Sequence, residues 1–428
     1  MKKLLIISYY WPPAGGGSVQ RWLHFAKNLK LLGAEPVVLT VNESNASYPL
    51  LDATLCTQVY DIETIRTKSF ELLKLYSRIK KGNATEAIPY GGLPQKKSLF
   101  TWISAWIRGN VFLPDARVGW NKFAIKAAVE RIKKGDITHI ITTGPPHSSH
   151  LIGLYLKKEF PAIPWIADFR DPWTELYINE TLPQTNWAKR RNEQFEIAVL
   201  KTADKVITVG NEMVKLLAGK IQDKAKISAI YNGFDEAAFS NYEIKTTSKF
   251  ILLHVGLLGD KQDISPIAKA VKLLATNENS QFIVFKVIGK ISENLIKIWR
   301  DICPEIELEN AGYLSQKETI SAMFQANVLI NITAETSHEQ ILVSTKTMEY
   351  LRVGLPILTI NNKGLEFEYL FQNNKFLRVF TRVDEVGINL FLQELFNYWK
   401  RKESPTSKID VSNFSRQQSS KKLLELLD

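Results

Sequence analysis

The strongest constraint on this chain is a pattern that runs, stops and starts again. Short β-rich apolar runs at residues 4–8, 36–41, 137–142, 165–169 and 205–209 alternate with amphipathic stretches such as 20–32 and 122–134. The same alternation restarts at 250–255 and continues through 282–288, 328–332 and 356–360. Strand–helix alternation of this kind predicts a parallel sheet with helices on both faces. At 428 residues the chain exceeds one ordinary core. Two doubly wound α/β domains in series are the simplest expectation. The turn chemistry of Tyr231-Asn232-Gly233-Phe234-Asp235 places their junction. The domains are expected over 1–235 and 236–410. The polar stretch 400–410, with Pro405, reads as a linker, and the helical segment 411–428 is expected to return to the first domain.

Composition narrows the classes. Hydrophobic residues make up 45% and charged residues 23%, which suits a folded globular chain. No apolar run is long enough to span a bilayer. The opening Met1-Lys2-Lys3 and the apolar run after it are too short for a signal peptide and lead into Tyr9-Tyr10-Trp11-Pro12-Pro13, without a small-residue cleavage site. Cys56, Cys303 and the six histidines show no metal-ligand spacing. A cytoplasmic chain with no disulfide, metal or cofactor is expected. The 55 basic residues exceed the 44 acidic ones, for a net charge of +11. That excess suits anionic partners. No nucleic-acid-binding motif accompanies it, so nucleic acid is not an expected partner.

In open α/β sheets, ligands sit beyond the C-terminal ends of the strands. Four stretches of sequence fall there. Pro12-Pro13-Ala14-Gly15-Gly16-Gly17-Ser18 follows the first strand and opens a helix. Its glycines let backbone N–H groups approach an anion, and Arg21 falls in the first turn. The stretch lacks the spacing of a dinucleotide fingerprint and the lysine of a P-loop. Thr142-Thr143-Gly144-Pro145-Pro146-His147-Ser148-Ser149-His150 follows another strand, with His147 poised at a helix start for phosphate, hydroxyl or proton chemistry. A packed His147 with Ser148 as a simple helix cap is the competing account, and packing suits His150 better. Trp165-Ile166-Ala167-Asp168-Phe169-Arg170-Asp171-Pro172-Trp173 ends in charges. Asp168 and Asp171 there are candidate proton acceptors, and an internal Asp–Arg pair is the competing account. In the second half, Gly256 and Lys261 follow a strand. Ser344-Thr345-Lys346-Thr347-Met348-Glu349 then begins a helix that Gly354 ends before a buried strand. Lys346 suits phosphate and Glu349 a ribose diol, and a surface ion pair is the plainer alternative.

A further segment, Leu99-Phe100-Thr101-Trp102-Ile103-Ser104-Ala105-Trp106-Ile107-Arg108, follows Lys74, Arg78, Lys80, Lys81, Lys96 and Lys97. Basic charge beside tryptophan suits either a membrane interface or a core helix.

Taken together, the chain resembles the GT-B glycosyltransferases of family 4, in the bacterial group that builds surface polysaccharides. The likeness rests on the order and spacing of Pro12–Gly17, Phe112-Leu113-Pro114-Asp115 with Gly119-Trp120, Gly144–Ser148, Ala167–Trp173, Asn232–Asp235 and Thr345–Pro356. It covers nearly the whole chain. The resemblance implies two Rossmann-like domains facing across a cleft. It also implies a retaining reaction without a catalytic metal, with a nucleotide-diphosphate sugar as donor and a saccharide or lipid-linked saccharide as acceptor. A soluble enzyme acting on lipid-linked acceptors would visit the anionic inner leaflet as a peripheral membrane protein. Carried over, Gly16, Gly17, Gly256, Lys261, Lys346, Thr347 and Glu349 would bind the donor. Asp171, His147 and Asp168 would serve catalysis, and Arg21, Arg170 and Trp173 the acceptor side. Three departures stand out: the histidine that many members carry is replaced in the Asp168–Asp171 region, and two more fall in the second half. Ile341 occupies the first position of the family's acidic pair, and Leu257 stands where Arg is common. A nucleotide-sugar 2-epimerase and a catalytically silent nucleotide-sugar-binding subunit are the alternatives.

Overall fold

The computed structural model describes residues 1–70, 99–176, 179–180, 182–276, 278–341 and 343–428. The basic positions Lys74, Arg78, Lys80, Lys81, Lys96 and Lys97 lie outside them. The chain forms two compact units. One comprises Met1–Tyr231 with Arg416–Asp428, and the other Asn232–Ser415.

The first unit is built on seven parallel strands: β1 (Lys3–Ile7), β2 (Glu35–Val41), β3 (Glu63–Thr67), β4 (His139–Gly144), β5 (Trp165–Phe169), β6 (Lys205–Thr208) and β7 (Ile227–Ala229). Their order is β3-β2-β1-β4-β5-β6-β7. Winding therefore runs outward one way from β1 and reverses at β4. Helices cover both faces, so the central strands are buried on both faces rather than alternating. β5 is buried at every position. Leu4, Ile6, Trp22, Leu23, Ile141 and Ile166 lie in one core. The terminal helix Arg416–Glu425 closes it. Leu423 and Leu427 join that core, and Ser419 Oγ donates to Tyr231 O at 3.2 Å.

The second unit repeats the architecture with six parallel strands: β8 (Phe250–Val255), β9 (Ile283–Ile288), β10 (Glu307–Gly312), β11 (Val328–Ile332), β12 (Ile357–Ile360) and β13 (Leu377–Phe380). The order β10-β9-β8-β11-β12-β13 puts the reversal between β8 and β11. Phe250, Leu252, Phe285, Trp299, Ile330, Leu358 and Phe396 lie in its core. The polar stretch read as a linker is fastened to this unit. Ser407 is buried, its N–H donates to Gly354 O at 2.8 Å, and its carbonyl accepts from Asn374 Nδ2.

Candidate functional site

Each unit carries its candidate residues at the C-terminal ends of the strands at and beside its reversal, the region where open sheets hold ligands.

In the first unit the loop after β1 reaches Gly16, whose φ of 78° lies in the left-handed region that glycine tolerates. The helix Gly17–Leu31 starts there with no side-chain cap. Gly16 and Gly17 are both exposed. One turn on, Arg21 does not face the crevice. Its side chain is 2% exposed and grips Asp168, which is 0% exposed, with N···O distances of 3.0–3.2 Å. Arg21 Nη1 also donates to Ile230 O at 2.8 Å. Asp168 accepts in addition from Trp22 Nε1 at 2.6 Å and Thr143 Oγ1 at 3.0 Å. Each charge is thus satisfied internally. Arg21 as an acceptor contact and Asp168 as a proton acceptor are both corrected by this pairing. The internal Asp–Arg pair is the account that holds, with Arg21 rather than Arg170 as partner.

Arg170 is spent on the backbone. Its Nη1 donates to Ser18 O, its Nη2 reaches Pro145 O at 3.5 Å, and its N–H bonds Gly144 O at 3.2 Å. One guanidinium thereby binds together the loops after β1, β4 and β5. Asp171 sits beside it, with Oδ2 3.8 Å from Arg170 Nε and 44% of its side chain exposed. Desolvation at the foot of the loop pushes the Asp171 carboxyl above the ordinary range. Asp168 adds to that, while Arg170 and Arg21 pull it down. Within this cluster Asp171 is the carboxylate that reaches solvent.

His147 and Trp173 turn inward. Their rings stack at 5.0 Å and 11°, and both residues are buried. His147 Nε2 meets Pro172 O at 3.1 Å, and burial holds the ring well below the usual histidine range. His150 stacks on Phe169 at 4.6 Å, receives Thr142 Oγ1 at 2.8 Å, and is held down to about 3. The remaining nitrogens, His147 Nδ1 and His150 Nε2, lack partners. Both converge on Gly144, each 2.7 Å from where a Cβ would stand. Trp173 as an acceptor contact is therefore corrected to core packing, and His147 as a proton-transfer group to a buried neutral ring. Sequence reasoning gave the cap of helix Ser148–Glu159 to Ser148. Asp115 performs that role from a distant loop, accepting from Ser148 N at 2.8 Å and Ser148 Oγ at 2.9 Å. Its carboxyl is raised by burial against these hydrogen bonds. Asp115 lies in the Phe112–Asp115 segment of the resemblance, but nothing local announces its partner.

In the second unit, three adjacent strands end in glycines with positive φ. Gly256 (113°), Gly289 (128°) and Gly312 (66°) follow or close β8, β9 and β10. Gly256 N donates to Ile288 O at 2.7 Å, and Gly289 N to Gly312 O at 2.7 Å. A Cβ on Gly289 would fall 2.4 Å from Gly256 O, so the loop after β9 can approach Gly256 only as a glycine. Glu335 N donates to Lys261 O at 2.8 Å, joining the loops after β8 and β11 across the reversal. Lys261 is exposed, and so is Leu257.

The helix Thr345–Val353 starts at Ser344 without a side-chain cap and stops at Gly354, φ 78°. Tyr350 pins it to the sheet. The Tyr350 hydroxyl accepts from Val255 N at 2.9 Å and donates to Ile330 O at 3.4 Å. Lys346 Nζ then stands 3.6 Å from the Cβ position of Gly256 and 3.1 Å from His254 Nε2. The residue keeps some surface, yet its surroundings desolvate the ammonium and hold it down to about 7, with Glu349 opposing. Glu349 is half-buried one turn on. Thr347 is buried, its Oγ1 3.3 Å from Ser344 Oγ and 3.5 Å from Asn331 Nδ2. Ile341 is buried. Nearby Glu339 does not stand in for a missing acid, because its Oε2 is paired with Arg382 Nη1 at 2.7 Å and its Oε1 accepts from Asn362 N at 3.0 Å. The structure thus brings Gly256, Lys346 and Glu349 to one strand end, and Thr347 lines its base.

No protein-family model and no curated protein sequence matches the chain. Solved structures do. Sucrose-phosphate synthase from Thermosynechococcus elongatus superposes with a TM-score of 0.61 at 14% identity, over 100% of this chain and 98% of its own. Anabaena HepE in complex with UDP-glucose gives 0.62 at 10% identity, over 100% and 99%. The fold is GT-B. Apo WaaB, a lipopolysaccharide outer core galactosyltransferase, shares that GT-B fold with a TM-score of 0.58 at 10% identity, over 99% and 98% of the two chains.

Proposed function

We propose that this GT-B chain is a glycosyltransferase. It moves a sugar from a nucleoside-diphosphate sugar to a saccharide or lipid-linked saccharide of a cell-surface polysaccharide, with retention of anomeric configuration. The observation that carries this reading is the desolvated Lys346 ammonium held beside Gly256 at the β8–β11 reversal, one helical turn from Glu349. A half-buried, desolvated cation beside a bare backbone is a site short of negative charge. A diphosphate supplies it. Lys346, with Lys261 on the exposed loop, neutralises the charge that grows on the departing diphosphate, and Glu349 accepts from the donor's ribose hydroxyls. The HepE structure that shares the fold holds UDP-glucose. The transfer breaks the anomeric C–O bond to the diphosphate and forms one to an acceptor hydroxyl, whose proton departs with the leaving group. No resident metal or cofactor takes part. A thermal-shift screen of nucleoside diphosphates and their sugars tests the donor site. Assays of transfer, hydrolysis and epimerisation on the hits follow. Absence of any shift sinks the donor site, epimerisation selects the 2-epimerase, and binding without turnover selects the silent subunit.

The acceptor side of this reading is a cytoplasmic enzyme on an anionic leaflet. Among the described residues no helix is long and apolar enough to cross a membrane. The helix Leu99–Asn110 instead exposes Trp102 (55%) and Trp106 (38%), with Ile103 and Ile107 beside them. Asn110 Oδ1 accepts from Thr185 N at 2.7 Å, which brings exposed Trp187 and the exposed bases Lys189, Arg190 and Arg191 close by. Tryptophans below and cations beside them suit an interface. Each cation near an anionic surface contributes about 1 kcal/mol. Co-sedimentation with phosphatidylglycerol-rich vesicles is expected at low salt, reduced by added salt and lost in W102S/W106S with the fold intact. No sedimentation of the wild type at low salt removes the membrane step.

A further inference from the structure

One buried imidazole of the second unit has no part in the reading so far. His254, in β8, is fully buried. Its Nδ1 lies 3.1 Å from Ile330 O, a pure acceptor, so that nitrogen carries the proton. Its Nε2 is then a lone pair, and Lys346 Nζ donates to it at 3.1 Å. Burial and the neighbouring ammonium hold the ring well below the histidine range, so it remains neutral at ordinary pH. Lys346 meets His254 from β8 and Glu349 on its own helix, and the Ile330 and Leu257 backbones act on His254 against its burial.

We propose that His254 is a positioning residue for the donor site, its Nε2 fixing the Lys346 ammonium beside Gly256 in place to meet a nucleoside diphosphate. This rests on the reading of that strand end as a diphosphate site. The chemistry of the partner is what matters. A lysine left alone spreads its ammonium over many rotamers. A carboxylate here would fix it but cancel the charge that a phosphate needs. A neutral imidazole fixes it and leaves the charge whole, and its other nitrogen is anchored to the sheet so that the lone pair cannot turn away.

Three variants separate these roles. His254→Asn retains a donor toward Ile330 O and removes the acceptor from Lys346. His254→Gln places an amide oxygen at the depth of Nε2. Lys346→Met removes what His254 holds. Calorimetric titration with UDP, GDP and ADP is expected to show the best ligand weakened about tenfold in H254N and largely restored in H254Q. In the K346M background, H254N is expected to have no further effect. Equal weakening by H254N and H254Q, or an undiminished H254N effect without Lys346, overturns the proposal. A second readout needs no nucleotide. Acetylation of Lys346 in the ligand-free protein, followed by mass spectrometry from about pH 6 to 9, reports its titration. Loss of the acceptor disfavours the charged form, so the H254N profile moves to lower pH and the H254Q profile stays with wild type. Superimposed profiles overturn the positioning role. If the wild type binds none of the three diphosphates, the nucleotide reading falls, and the acetylation profiles alone decide whether His254 holds Lys346.

Discussion

The two strand-end crevices are built from the same topology and use their charges in opposite ways. In the first unit, Arg21 and Asp168 neutralise each other out of reach of solvent, Arg170 binds loop carbonyls, and His147 is a neutral ring against Trp173. These charges build the crevice rather than act in it, and Asp171 is the carboxylate of that cluster left at the surface. In the second unit the arrangement is reversed. Glycines clear the backbone, and a lysine is held in a setting that disfavours its own charge, with a neutral nitrogen as acceptor. A saturated site has no need of a ligand. A site short of an anion does. On the proposed reading, the difference separates a scaffold for an acceptor from a receptor for a diphosphate.

The largest expected effect breaks the scaffold. Asp168→Ala leaves Arg21 buried without its partner, which costs about 3–5 kcal/mol of stability. Urea unfolding of the full chain measures it. A loss below about 1 kcal/mol, the scale of an exposed pair, would mean that the pair is solvated and the contrast between the crevices is false. Gly289→Ala is the counterpart in the second unit. It combines a φ of 128° with a Cβ 2.4 Å from Gly256 O, a backbone atom that cannot swing aside. A loss of about 1–3 kcal/mol is expected, together with weaker nucleotide binding because Gly256 is displaced. Unchanged stability and affinity would show that the glycine loops have slack.

These two positions also show how far the sequence could be read. The strand runs read from the sequence are the interior strands of both sheets, and the four strands it missed are β3, β7, β10 and β13, the four sheet edges. The reason is physical. Interior strands are covered on both faces and must be apolar, whereas an edge strand tolerates charge and uses it against further pairing. β10 reads Glu-Leu-Glu-Asn-Ala-Gly, and its Glu309 pairs with Lys286 at 2.8 Å. Neither looks like a strand in isolation. The site divides along similar lines. Loop positions were legible because glycines, prolines and charges after a strand are local signals. Partners were not. Asp168 meets Arg21 across 147 residues, and Asp115 reaches Ser148 across 33. Only the fold shows that Arg21, Asp168 and His147 are internal while Lys346 is not.

A smaller effect sharpens the receptor side. If Glu349 accepts from ribose hydroxyls, Glu349→Ala weakens binding of the best nucleotide by about 1–3 kcal/mol. Stability changes little, since Glu349 is only half-buried. Isothermal titration decides it. Unchanged affinity removes Glu349 from the site and returns it to the surface pair that its spacing from Lys346 also allows.

The finest test uses pH, because Lys346 titrates in a window that the buried histidines of both units leave clear. His150 is held down to about 3 and His147 well below 6.5. Below pH 6.5 the unfolded chain takes up protons that these rings refuse, so the stability they allow is complete above that value and is lost as pH falls. Lys346 is held down to about 7 from 10.5. Between those values the unfolded lysine keeps a proton that the folded one gives up, so folding gains as pH rises through that window. His150→Phe retains the stack on Phe169 and should make the acid limb shallower, with His147 and His254 still contributing to it, and leave the alkaline limb unmoved. Lys346→Met should be more stable than wild type near pH 7, with the advantage shrinking toward pH 10. A saturating nucleotide at pH 7 should stabilise the wild type and leave K346M nearly unmoved, because the anion relieves a penalty that methionine never carries. If K346M shows the same stability difference across the whole range, Lys346 is an ordinary solvated cation. The second crevice would then be no shorter of an anion than the first.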